Sequence, residues 1–241
     1  MPDLASTAGR AVALAFGALT RVTGNKPLHP HGVLFDAVLE RTGPDRPVGV
    51  GWIDRPGRDD VLVRLSRGAG LPGWLPDLLG FALRVPGALD EEAGAPPVDL
   101  LLSSAGRGPV TRQVPALHRH ATGTYGSLMS YRTTFGPLAL AAFPQGSGVP
   151  ATREALVADG AGLRFTLAAA RGRGEWRPFG TVELRAPAEP PDPDLHFDAM
   201  RYPPPGLVAS GAMARFRRPA YATARAVHDG HVGVLRAAGE A

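Results

Sequence analysis

The chain has 241 residues, 44% hydrophobic and 20% charged, which is enough apolar sequence to fill the core of one large domain or two small ones. Cysteine is absent, so there is neither a disulfide framework nor a thiolate metal ligand. The net charge is +4 and the pI about 10.1. However, Lys26 is the only lysine, and the arginines are spread evenly with no dense basic stripe between aromatics, which argues against a nucleic-acid partner.

In chain order, residues 4–22 place Leu4, Val12, Leu14, Phe16, Leu19 and Val22 at helical spacing. Arg10 and Arg21 interrupt any run long enough to span a bilayer, and no basic region or cleavage site of a secretory signal is present. Residues 1–24 are therefore expected to form an amphipathic helix packed on the main domain or on a partner, a homodimer being one such arrangement. The protein is expected in the cytoplasm. Residues 25–241 read as a single domain. It opens with His29 and His31 between prolines, which by themselves are exposed loop histidines.

Thirty-one glycines and 25 prolines, just under a quarter of the chain, favour many turns over long helices. Residues 32–40 read as a strand, 41–50 as a turn region and 48–53 as a further short strand. Two apolar strands follow, 61–66 and 78–85, joined by a link holding Gly68, Gly70, Pro72, Gly73 and Pro76. Each strand carries one arginine, Arg64 and Arg84. Arg64, Ser66 and Leu62 share one face by the two-residue period, which on spacing alone describes the solvated edge of a half-buried sheet. Residues 98–104 form a strand ending in Ser103 and Ser104. The 113–124 loop carries His118 and His120, but with no carboxylate or third ligand nearby no metal is assigned. Residues 125–136 and 137–143 read as strand, turn and strand, and 163–169 and 178–184 add two more strands. Residues 195–206 are extended and proline-stiffened. Residues 211–225 are helical in composition except for Pro219, with Arg217 and Tyr221 one turn apart. Eight or nine strands with hairpin-scale links fit a mainly β fold, an eight-stranded-type closed antiparallel β-barrel with flanking N- and C-terminal helices.

The run V-R-L-S-x-x-A-G-x-P-G from Val63, followed by D-x-x-G-F-A-L-R from Asp77, resembles the central hairpin of haem catalases and their small catalase-related cousins. K-P-L-H-P-H-G from Lys26, Y-G-S-L-M-S-Y-R from Tyr125, and the ending F-D … P-P-G … R-F-R-R-P-A-Y resemble the same family in the same order. The resemblance covers roughly residues 26–225. It implies a catalase-like barrel with haem b and a reaction with hydrogen peroxide or an organic hydroperoxide. It makes Tyr221 the axial iron ligand, bound as a phenolate that Arg217 stabilises. It makes His29 the distal acid–base group, with His31 its competitor, and Ser66 the residue that positions it. Arg64 and Lys26 face the propionates.

The family's asparagine, which donates to bound peroxide, is replaced by Ser103, and the following Ala-Gly-Arg-Gly-Pro does not match. A lysine stands where the family has arginine at position 26, and Pro219 interrupts the ligand helix. These departures point to an oxidoreductase more peroxidase-like than catalase-like, with peroxide and a small organic donor as its partners. The alternative is a haem-free barrel that binds an apolar small molecule or acts as an interaction protein.

Overall fold

In a computed structural model, residues 31–68, 71–87, 96–146, 148–191 and 195–210 are described. The long strands β1 (His31–Arg41), β2 (Gly57–Arg67) and β3 (Asp77–Val85) pair antiparallel in sequence order. β4 (Val98–Ser104) adds to β3, and β5 (Leu117–His118) pairs the start of β3 outside the main path. β6 (Tyr125–Gly126) joins β4 to β8 (Gly136–Pro144), which then pairs β9 (Arg164–Arg171). β10 (Arg177–Pro187) pairs both β9 and β1 and closes the ring. The result is a closed antiparallel barrel of eight strands, β1-β2-β3-β4-β6-β8-β9-β10. β7 (Ser130–Thr133) and β11 (Val208–Ser210) extend it beside β8.

Alternation along the strands explains the closure. Val33, Phe35, Val61, Val63, Leu65, Phe81, Leu83, Leu100, Leu102, Leu140, Phe165 and Leu167 are all buried in one core and occupy every second position. At its centre Phe81, Tyr125 and Phe165 meet pairwise, with ring centroids 5.1–6.0 Å apart. The buried Tyr125 hydroxyl donates to the Ala121 carbonyl at 2.6 Å, so the ring enters the core without an unpaired polar group.

The short strand expected over 48–53 is not formed. Residues Gly51–Asp54 make one helical turn, α1, instead. The Asp54 carboxylate accepts from the Val48, Gly49 and Val50 amides at 2.7, 2.7 and 2.9 Å, which draws the chain back on itself. The curl places Val48, Val50, Trp52 and Ile53 in the core as a plug, a packing demand that local β propensity does not register. A second helix, α2 (Arg153–Asp159), is capped by the Thr152 hydroxyl, which accepts from the Ala155 amide. The N-terminal helix expected over 1–24 and the ligand helix expected over 211–225 lie outside the described residues.

Candidate functional site

The face of β1–β4 that points away from the core carries the expected site residues. Residues directly opposed in an antiparallel ladder share a face. Gly32 is opposite Ser66, Ser66 opposite Gly80, and Gly80 opposite Ser103. One row across four strands therefore holds nothing larger than serine. At the usual strand spacing it runs about 14 Å. The next row along the strands is Leu34, Arg64, Ala82 and Leu101. Together they make a floor of small residues with an apolar border, in which Arg64 is the one cation of these two rows. Ser66 and Ser103 are both buried.

Arg64 does not extend away from the row. A Cβ on Gly32 would lie 2.7–2.9 Å from its Cζ, Nη2 and Nε, so the guanidinium rests on the glycine at one end of the floor. The small side of Gly32 is what lets the charge lie flat there.

The whole Gly32–Ser103 row is buried, and beyond Ser103 it continues through Gly126, Ala141 and Ala168, where the 105–112 segment and Trp176 pack on the outer face. A Cβ on Gly126 would meet the Ala105 Cβ and the Arg112 carbonyl, both at 3.3 Å. The Arg107 guanidinium sits 4.5 Å over Phe143, and the Trp176 indole donates to the Arg107 carbonyl at 2.8 Å. Arg112, itself buried, stacks 4.3 Å over Trp176 and donates to the Gly174 carbonyl. The segment after Ser103, where the sequence departs from the catalase pattern, thus folds back over the outer face and ends the floor at β4.

Arg84, the other arginine of the hairpin, has a different role. It forms a bidentate pair with the fully buried Asp99, at 2.7 and 2.6 Å, and donates to the His196 carbonyl at 2.6 Å. Asp99 in turn accepts from the Asp198 amide, and its own amide donates to the Tyr202 carbonyl, each at 2.6 Å. The 195–202 segment, expected to be extended, instead turns at Asp198, whose carbonyl accepts from the Arg201 and Tyr202 amides, and is tied to the outer face beside the floor. Sequence reasoning missed this clamp; its signal was a strand arginine and a strand aspartate that face each other only once the β3–β4 register is known.

The His118 ring packs on Gly123. Its Nε2 is buried without a hydrogen-bond partner, and desolvation lowers its pKa. Among the described residues no three His, Cys, Asp or Glu side chains come together as a metal site. His29, Lys26, Arg217 and Tyr221 lie outside the described residues. Of the expected site, the structure brings Arg64, Ser66 and Ser103 onto one face.

No protein-family profile matches the sequence, and no curated protein matches it. Solved structures do. Catalase A from Saccharomyces cerevisiae superposes with a TM-score of 0.56 at 15% identity, over 87% of this chain and 62% of that one. A fungal catalase gives 0.51 at 14% identity, over 83% of this chain and 58% of that one. The fold is the catalase-like barrel. The chain spans about three-fifths of the length of the catalases it matches.

Proposed function

We propose that this catalase-like barrel binds haem b on the β1–β4 floor and reacts with hydrogen peroxide or an organic hydroperoxide, oxidising a small organic donor in preference to releasing oxygen. The observation that carries this reading is the in-register row Gly32–Ser66–Gly80–Ser103 with the Arg64 guanidinium lying on its end. A flat macrocycle needs a floor with no projecting side chain, and its carboxylate edge needs a fixed cation. An arginine lying on a glycine supplies that cation at one end of the row.

When bound, haem supplies the iron redox chemistry that breaks the peroxide O–O bond; the rest is work for side chains. His29, two residues before β1, moves the proton between the peroxide oxygens, since an imidazole titrates near neutrality. Ser66, opposite Gly32 at the start of β1, is given the role of orienting that imidazole by a hydrogen bond. Arg64 and Lys26 pair with the propionates. Tyr221 would hold the iron as phenolate, and Arg217, four residues earlier in the sequence, would favour the ionised oxygen. Ser103 closes the floor on β4. Its single hydroxyl donor takes the place of an amide, which has two donors and a longer reach.

The test is the absorption spectrum of the full chain after addition of haemin. The expected result is a Soret band with the weak charge-transfer bands of phenolate-ligated ferric haem, altered in Tyr221→Phe while the far-ultraviolet circular dichroism is unchanged. A colourless protein that takes up no haemin overturns the proposal, and an unchanged Tyr221→Phe spectrum removes Tyr221 as ligand.

A further inference from the structure

The β2–β3 link carries a feature that neither the barrel nor the floor uses. Trp74 stands at its tip with 71% of its surface exposed, the most exposed large apolar side chain among the described residues. It lies in Leu71-Pro-Gly-Trp-Leu-Pro76, a stretch with no charged residue. The loop beneath it is firmly built. Arg67, buried at the end of β2, donates from Nη2 to the Leu71, Pro72 and Leu75 carbonyls at 3.2, 3.2 and 2.9 Å. Its Nε lies 3.5 Å from Oδ2 of the fully buried Asp77, an ion contact and not an aligned hydrogen bond. Asp77 accepts from the Leu71 and Leu78 amides at 3.2 and 2.7 Å. A buried ion pair is thus spent on fixing a loop whose outermost group is an indole in water.

Two neighbours complete the tip. A Cβ on Gly73 would lie 2.8 Å from Thr152 Cγ2, so the loop touches the residue that caps α2, and the next residue, Arg153, is exposed. The Arg119 carbonyl accepts from the Ala151 amide, which brings the β5 end, with the exposed Arg119 and the exposed Leu117, to the same side. Glu154 is an exposed carboxylate on the first turn of α2, so the two arginines leave the rim net positive.

We propose that this loop is a membrane-surface anchor: Trp74 enters the headgroup layer of an anionic bilayer while Arg119 and Arg153 face lipid phosphates. The indole, apolar in its body and with one N–H donor, favours that boundary. A single exposed ring suits insertion between lipids. The positive rim matches anionic headgroups, as does the positive net charge of the chain.

The test uses the full chain with phosphatidylcholine vesicles, with and without phosphatidylserine, read by co-sedimentation and tryptophan emission. Trp52 is buried and Trp176 half-buried, so a blue shift on vesicle addition reports Trp74. Binding is expected on the anionic vesicles, and Trp74→Ala is expected to weaken it roughly tenfold or more while circular dichroism is unchanged. Arg119→Glu combined with Arg153→Glu is expected to abolish the preference for phosphatidylserine. The assay needs no haem, so failure of haemin uptake leaves its result intact. Three results overturn the proposal: no vesicle binding, binding unchanged in Trp74→Ala, or self-association without lipid that Trp74→Ala removes, which assigns the loop to a protein interface.

Discussion

Gly32 meets two demands at once: it keeps the first strand of the floor flat and leaves room for the Arg64 guanidinium. The three atoms nearest a methyl group there all belong to the far end of a flexible arginine, which can swing away at small cost. Gly32→Ala is therefore expected to fold with a stability change under about 1 kcal/mol, yet to displace the cation from the floor. The measurement is haemin affinity by absorption titration beside urea unfolding. Loss of affinity at unchanged stability supports the role given to Arg64, and equal affinity refutes it. His29→Ala is expected to keep haem but slow the reaction with peroxide by about 10²–10⁴-fold, the usual worth of one acid–base group. His31→Ala is the control, and if it proves the more damaging change, the distal assignment moves to His31. At this scale the sequence was legible where chemistry is local. Arg64 and Ser66 are two residues apart on one strand, and the period alone puts them on one face. That Ser103 joins them depends on the β3–β4 register, which only the resemblance supplied before the structure did.

Among the elements, β4 and the 195–202 segment depend on each other through Asp99. Its carboxylate serves Arg84 and the Asp198 amide, and its own amide binds Tyr202. Asp99 is fully buried and the Arg84 side chain is 13% exposed, so removing the carboxylate leaves a guanidinium largely shut away from water. Asp99→Ala is expected to lower unfolding free energy by about 3–5 kcal/mol in urea. A loss below about 1 kcal/mol would show the clamp to be incidental. His118 gives a pH dependence at β5. Its pKa is lowered by desolvation from the ordinary 6.5, so the unfolded chain binds the proton more readily. The stability this group contributes is present above pH 6.5 and is lost as pH falls below it. Melting temperature is expected to drop on acidification through that window, less so in His118→Gln. Equal slopes in the two proteins would exclude His118 as the cause. The barrel strands were readable from their alternation and from the turns between them. Helix α2 and strand β11 were not: α2 is only seven residues long and β11 three, too short to set a period. α1 escaped because Val48, Val50 and Ile53 are good strand formers, curled by a carboxylate that caps three amides.

For the whole molecule, what matters is how far the floor extends and what stands at its end. Closure of the eight strands fixes β1–β4 rigidly, and the 105–113 segment packs over Gly126, so the floor stops at Ser103. Oxygen release from peroxide requires a second peroxide held and oriented after the first has reacted. The group nearest that task here is a serine hydroxyl, short and with one donor. In the proposed reading the first proton is moved by His29, so that step does not depend on Ser103. Oxidation of an added organic donor needs only approach to the border of the floor, where Ala82 and Leu101 are half-buried apolar side chains. Donor oxidation is therefore expected to outpace oxygen release on one preparation, measured by absorbance and by an oxygen electrode. Ser103→Asn restores the longer amide at the same backbone position and is expected to raise oxygen release relative to donor turnover. Oxygen evolution by the unaltered protein faster than donor oxidation would refute the assignment of Ser103 as the limiting residue. So would a Ser103→Asn protein that binds haem equally well and shows the same ratio.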